Sequence, residues 1–136
     1  MKEKNETKKT AGTSRRKFVL GTGTAVAAGY YVATRKQWAE FGPPESVPAT
    51  GVLHFSDRGR GVFLARDTEG VVYALSQRCS HQGCDVEWKP AATRFECPCH
   101  SGVYSAAGDR VSGEPIRGLV RLRTRINDDG VLEVLV

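Results

Sequence analysis

At 136 residues the chain has room for one domain and little more, and a hydrophobic fraction of 40% with 8% aromatics supports only a modest core. Fifteen Gly and six Pro favour a turn-rich β domain over a helix bundle. The formal charge of +5 excludes little until it is located: residues 1–17 hold seven Lys/Arg against two Glu, and the remaining residues balance thirteen basic with thirteen acidic side chains. A basic tail ahead of an apolar stretch is an orientation signal, so no nucleic-acid partner is expected.

Residues 14–20 read SRRKFVL, which resembles the twin-arginine export motif, with Arg15 and Arg16 placed before an uncharged run. That run, residues 18–34, is expected to form one N-terminal transmembrane helix of roughly 25 Å, slightly short of a ~30 Å hydrocarbon core. Arg35 and Lys36 can snorkel, and Tyr30, Tyr31, Trp38 and Phe41 suit the interface. Ala25-Val26-Ala27 offers a peptidase site, but the apolar run continues to Ala33, so an uncleaved signal anchor is expected. Residues 35–50, with Pro43, Pro44 and Pro48, are expected to be an extended tether, and 51–136 the globular domain.

Within that domain, Gly61–Ala65 and Val71–Leu75 flank a turn and suggest a hairpin. Arg94–Cys97, Val103–Ser105, Leu119–Ile126 and Val131–Val136 are further strand candidates. In LVRLRTRI, Arg121, Arg123 and Arg125 interleave with Leu119, Val120, Leu122 and Ile126, which predicts a wet, basic face. The pattern is that of a small antiparallel β domain.

All four cysteines fall in two boxes, CSHQGC from Cys79 to Cys84 and CPCH from Cys97 to His100. Each box offers a closely spaced Cys and His. Two thiolates and two imidazoles suit either a structural zinc ion or a Rieske [2Fe-2S] cluster, in which two His replace two Cys on one iron. Zinc leaves Cys84 and Cys99 without a role. The order CxHxxC, CxCH and then a Gly/Pro loop resembles the Rieske iron–sulfur family over about residues 71–119. The resemblance implies an all-β fold, a Rieske-type antiparallel β-sandwich with a small cluster-binding subdomain. It implies one [2Fe-2S] cluster per chain, held by Cys79 and Cys97 on one iron and His81 and His100 on the other. It also implies a disulfide between Cys84 and Cys99, which an oxidising compartment preserves.

Imidazole is neutral where thiolate is anionic, so such ligation raises the reduction potential into a range of roughly −150 to +300 mV. Each imidazole keeps a second ring nitrogen for a proton, making His81 and His100 candidate quinol contacts. High-potential members read CPCHGSxY, with Ser and Tyr hydroxyls donating to sulfur. Here the run is CPCHSGVY: Tyr104 matches, Gly102 stands at the usual Ser position, and Ser101 comes one residue earlier. A potential below that of members with both hydroxyls is expected, consistent with a menaquinol-type pool. Gly113 and Pro115 match the loop that covers the cluster.

The function implied is the electron-transfer subunit of a quinol:cytochrome c oxidoreductase of bc type, with quinol as substrate and a cytochrome b-type subunit and c-type cytochrome as partners. Its location would be the bacterial or archaeal cytoplasmic membrane, single-pass, with the Rieske domain on the outer side. The alternative is an exported Rieske small subunit of another oxidoreductase such as arsenite oxidase. A zinc module without redox function is a third reading. His54 is expected on a strand surface, Trp88 packed against the loops, and Asp85, Glu87 and Glu96 in solvent.

Overall fold

The computed structural model describes residues 36–136; the twin-arginine motif and the expected anchor helix lie outside the described residues. Within these residues eleven strands form three antiparallel sheets: β1 (Trp38–Gly42), β2 (Leu53–Asp57), β3 (Arg60–Arg66), β4 (Val72–Ser76), β5 (Glu87–Lys89), β6 (Arg94–Cys97), β7 (Gly102–Ser105), β8 (Arg110–Ser112), β9 (Arg121–Leu122), β10 (Thr124–Ile126) and β11 (Leu132–Leu135). Among the described residues the only helical pieces are single turns at Pro44–Ser46 and Pro90–Ala92, and no helix is long and apolar enough to cross a membrane.

The centre is β3. Its run Val62-Phe63-Leu64-Ala65 is buried at every position, which marks a strand covered on both faces. It pairs with β2 from Leu53↔Leu64 to Asp57↔Arg60, and with β4 from Val62↔Ser76 to Arg66↔Val72. Arg58 and Gly59 both have positive φ, as a two-residue hairpin turn requires. The next turn is closed by Asp67, whose carboxylate accepts from the backbone N–H of Glu69 and Val71. β9 completes this sheet on the far side of β4.

Alternation along β3 and β4 then divides the core in two. Val62, Leu64 and Ala74 face the sheet ordered β1-β11-β10 and pack with Ala39, Val47, Leu132, Val134 and Val136. Phe63 and Leu75 face the other way, into Val86, Phe95, Tyr104, Leu119 and the two thiols Cys79 and Cys97. The second core carries the sheet β5-β6-β7-β8 and the loops holding both cysteine boxes. The ladder Cys97↔Gly102 to Arg94↔Ser105 closes the connection that carries the second box.

Two expectations are corrected. The segment 35–50 is not simply an extended tether: Trp38–Gly42 pairs with β11 from Trp38↔Leu135 to Gly42↔Leu132, and Val47 is fully buried. Arg66 fixes the following turn by donating to Val47 O and Pro44 O at 3.1 and 2.6 Å. The prolines begin at 43, after the strand has ended, so they punctuate the segment without preventing pairing. The single strand expected over Leu119–Ile126 is two, β9 and β10, in different sheets. The chain changes sheets there, and one alternation cannot continue across that change. Arg121, Arg123 and Arg125 are exposed as expected, but Val120 and Ile126 are exposed too.

Candidate metal centre

The first box is a tight loop returning on itself after β4. Cys79 N donates to Cys84 O at 2.7 Å and Gly83 N to Cys79 O at 3.0 Å; beneath them Val86 N donates to Gln77 O at 2.9 Å. Gly83 takes a φ of +75°, which favours glycine there. These bonds put Cys79 at the foot of the loop and His81 at its tip. The second box is the connection from β6 to β7, with Cys97 the last residue of β6 and buried. Cys84 and Cys99 are bonded in a disulfide, their Cα atoms 6.6 Å apart, so the two loops are covalently joined.

Thiols and imidazoles occupy different depths. Cys79 and Cys97 are free and buried, whereas the His81 side chain is 29% exposed. The rings of His81 and His100 meet edge to face with centroids 4.9 Å apart. Donor atoms that converge within 4.8 Å of one another belong to Cys84, Cys97 and Cys99 in one group and to His81, His100 and Glu114 in another. Glu114 Oε2 lies 3.6 Å from His81 Nδ1. Sulfur and nitrogen donors are thus segregated and do not close on one point, which fits a group with two metal atoms better than a four-coordinate zinc ion.

The hydrogen bonds around the thiols suit anionic sulfur. Burial alone would push the Cys79 thiol up, but donation from Tyr104 Oη and from the backbone N–H of His81 and Gln82, together with the neighbouring Cys97 thiol, outweighs it and leaves Cys79 below its ordinary value. Cys97 is pushed up, by burial first and then by Cys79, while the N–H groups of Cys99 and His100 work in the opposite direction. Tyr104 is fully buried, and its hydroxyl stands 3.0 Å from Cys79 Sγ. Burial and then the bond to Cys79 raise its pKa, so it remains a donor at neutral pH.

The remaining expected positions divide by place. Pro115 is fully buried and Gly113 takes a φ of +90° beside the second box. Ser101 is exposed, with a φ of +53°, and its hydroxyl makes no hydrogen bond among the described residues. A Cβ at Gly102 would lie 2.7 Å from Pro115 Cγ. His54 is exposed on β2 and bonds Gln77 at 3.0 Å, and the Trp88 ring lies 4.8 Å from that of Phe95. Asp85 and Glu87 are exposed, and half-buried Glu96 pairs with Arg94.

Two contributors were not legible in the sequence. Ser80 donates to Arg117 O at 2.7 Å and lies 3.3 Å from Tyr104 Oη. Arg110 donates to Pro115 O and Gly113 O. Neither belongs to a ligand motif; the position of Ser80 between Cys79 and His81 was the one available signal.

A profile of the Rieske [2Fe-2S] domain matches residues 37–122. The chain is 30% identical over 116 residues to the cytochrome b6-f complex iron-sulfur subunit of Gloeobacter violaceus, covering 82% of this chain and 62% of that one. It is 40% identical over 63 residues to the menaquinol:cytochrome c reductase iron-sulfur subunit of Geobacillus thermodenitrificans, covering 44% and 37%. Over 84 residues it is 45% identical to the carotenoid phi-ring synthase of Chlorobaculum tepidum, covering 61% of this chain and 13% of that protein. The chain therefore spans between an eighth and under two thirds of these relatives' lengths. Among solved structures, the plasma membrane Rieske protein PetC3 of Synechocystis PCC 6803 superposes with a TM-score of 0.58 at 28% identity, covering 72% of this chain and 99% of that one. The antiparallel architecture, the paired Cys/His loops and the extent of the match agree: this chain belongs to the Rieske [2Fe-2S] domain family, whose cofactor is a [2Fe-2S] cluster.

Proposed function

We propose that the chain is the electron-transfer subunit of a quinol:cytochrome c oxidoreductase, with Cys79 and Cys97 as ligands of one iron and His81 and His100 of the other. The observation that carries this reading is the arrangement of the site. Two thiols are buried, two imidazole rings adjoin each other, and His81 reaches solvent. When bound, a [2Fe-2S] group ligated in this way takes and gives up one electron at a potential raised by its neutral imidazoles.

The chain's own residues supply the rest. The N–H groups of His81, Gln82, Cys99 and His100 and the Tyr104 hydroxyl point at the two sulfurs, orient them and favour their anionic form against the effect of burial. The exposed His81 ring would accept a hydrogen bond from a quinol hydroxyl and hold its proton at the surface. The Cys84–Cys99 disulfide keeps both loops in place while that contact forms. The likeness to menaquinol:cytochrome c reductase and cytochrome b6-f subunits supports a cytochrome b-type partner and a c-type cytochrome as acceptor. Twin-arginine export and a single N-terminal anchor, with the Rieske domain on the outer side of the membrane, complete the reading.

A second reading has its own support. The chain is 45% identical to a stretch that makes up 13% of a carotenoid phi-ring synthase, so sequences like it occur outside quinol:cytochrome c reductases; on this reading the chain serves another oxidoreductase, such as an arsenite oxidase with an exported Rieske small subunit. Affinity purification from native membranes separates the two. A cytochrome b subunit in the eluate, with iron, acid-labile sulfide and a Rieske-type EPR signal on reduction, is the expected result. A molybdenum-containing partner promotes the second reading, and zinc with no such signal ends both.

A further inference from the structure

The loop after β8 rests in a socket made by two glycines. A Cβ on Gly102 would stand 2.7 Å from Pro115 Cγ, closer than side-chain carbons approach one another, and a tight 3.2 Å from Pro115 Cδ. Gly113 meets the same backbone from the loop's side. At its φ of +90° a side chain is strained, and a Cβ there would lie 2.3 Å from Ser101 O and 2.8 Å from Gly102 Cα. Pro115 is thereby fully buried, although its neighbours Glu114 and Ile116 are exposed.

A single side chain ties the loop down. Arg110 donates from Nε to Pro115 O and from Nη2 to Gly113 O at 2.9 Å, so its guanidinium bridges the carbonyls on either side of Glu114. Arg110 stands opposite Tyr104 in the β7–β8 ladder, and Tyr104 carries the hydroxyl on Cys79. The clasp and the sulfur's hydrogen-bond donor are therefore built on one hairpin.

We propose that Arg110 and Gly102 are positioning residues that latch the 113–117 loop over the metal centre, glycine leaving the space for the Pro115 ring and the guanidinium fork holding the two carbonyls. The inference rests on the cluster-binding reading above. It has a consequence for residue 102: a Cβ there displaces the Pro115 ring from this seat, so a serine at 102 shifts the latched loop. The latch also holds the Glu114 carboxylate 3.6 Å from His81 Nδ1, so it sets which charge faces the imidazoles. Lysine cannot replace Arg110, because one ammonium lacks the planar fork that spans two carbonyls.

The test uses the full chain with its cluster and follows chelator-driven iron release, the midpoint potential and the thermal midpoint. Gly102→Ala and Arg110→Gln should each release iron faster by roughly tenfold or more, the effect of removing about one charge-assisted hydrogen bond or its steric equivalent from loop opening. Arg110→Lys keeps the charge and should match Arg110→Gln in both release rate and midpoint. Adding Pro115→Ala to Gly102→Ala should cause no further acceleration, because the proline is already unseated. Arg110→Lys behaving like wild type overturns the inference, since charge alone then suffices; so does independent multiplication of the Gly102 and Pro115 effects. Wild type that keeps its cluster while every variant matches it defeats this inference alone, whereas wild type without iron and sulfide defeats the cluster reading along with it.

Discussion

Tyr104→Phe removes one hydroxyl from the site and almost nothing else. The ring is fully buried between β6 and β8, and Phe keeps its shape, so the packing against Phe95 and Leu119 survives. What is lost is the donor 3.0 Å from Cys79 Sγ. A hydrogen bond to a charged acceptor contributes about 1.5–3 kcal/mol, and reduction, which adds negative charge at the site, strengthens it by some fraction of that. Taking the fraction as about 1 kcal/mol, and ~59 mV per factor of ten for one electron, the midpoint should fall by roughly 40 mV. Ser80→Ala is the control: its proton goes to Arg117 O at 2.7 Å, so it should move the midpoint by less. The assay is an EPR-monitored redox titration at neutral pH, where the raised pKa of Tyr104 keeps the hydroxyl a donor. An unchanged or higher midpoint in a variant that retains its full cluster signal would refute the argument.

Reducing the Cys84–Cys99 disulfide, or replacing both cysteines by Ser, should destabilise the domain by about 3 kcal/mol in denaturant titration, given the 15-residue separation, and should speed cluster loss. Val47→Ala should cost roughly 1–3 kcal/mol in the same assay, because Val47 is a buried part of the core; a cost near zero would restore the free-tether view of 35–50. Tyr73 has its pKa raised, by burial first and with a smaller push from Asp67 against the pull of Arg121. The folded state therefore holds that proton more tightly than the unfolded chain, so its contribution is complete below the ordinary tyrosine value of 10.0 and is lost as pH rises through the folded pKa. Tyr73→Phe should flatten the alkaline fall in stability, measured as thermal midpoint against pH.

Much of the site was legible because metal chemistry constrains residue types at short spacing. Cys79, His81, Cys97 and His100 lie within two boxes, and the turns that bring each box together are local, closed by Gly83 and by the Cys97↔Gly102 pairing. Tyr104 was legible for the same reason, since its offset along β7 from that pairing fixes its height beside Cys79. β3 was legible because a strand buried on both faces has an unbroken apolar run. The strand Trp38–Gly42 was not: its partner β11 is at the other end of the chain, and a five-residue segment beside prolines has no local mark of that pairing.

The amino-acid sequence by itself determined which Cys and His side chains are available as donors, the order of the two boxes, the antiparallel β class and the basic N-terminal tail, because each depends on residue type and near spacing. Only the tertiary structure decided which contacts finish the site. It buried the two free thiols and left His81 exposed, put Glu114 beside His81, and seated Pro115 in the space left by Gly102 with Arg110 across the loop. Those relations join residues on different strands and loops, and their sense depends on register and on the absence of a side chain, neither of which has a local signature in the chain.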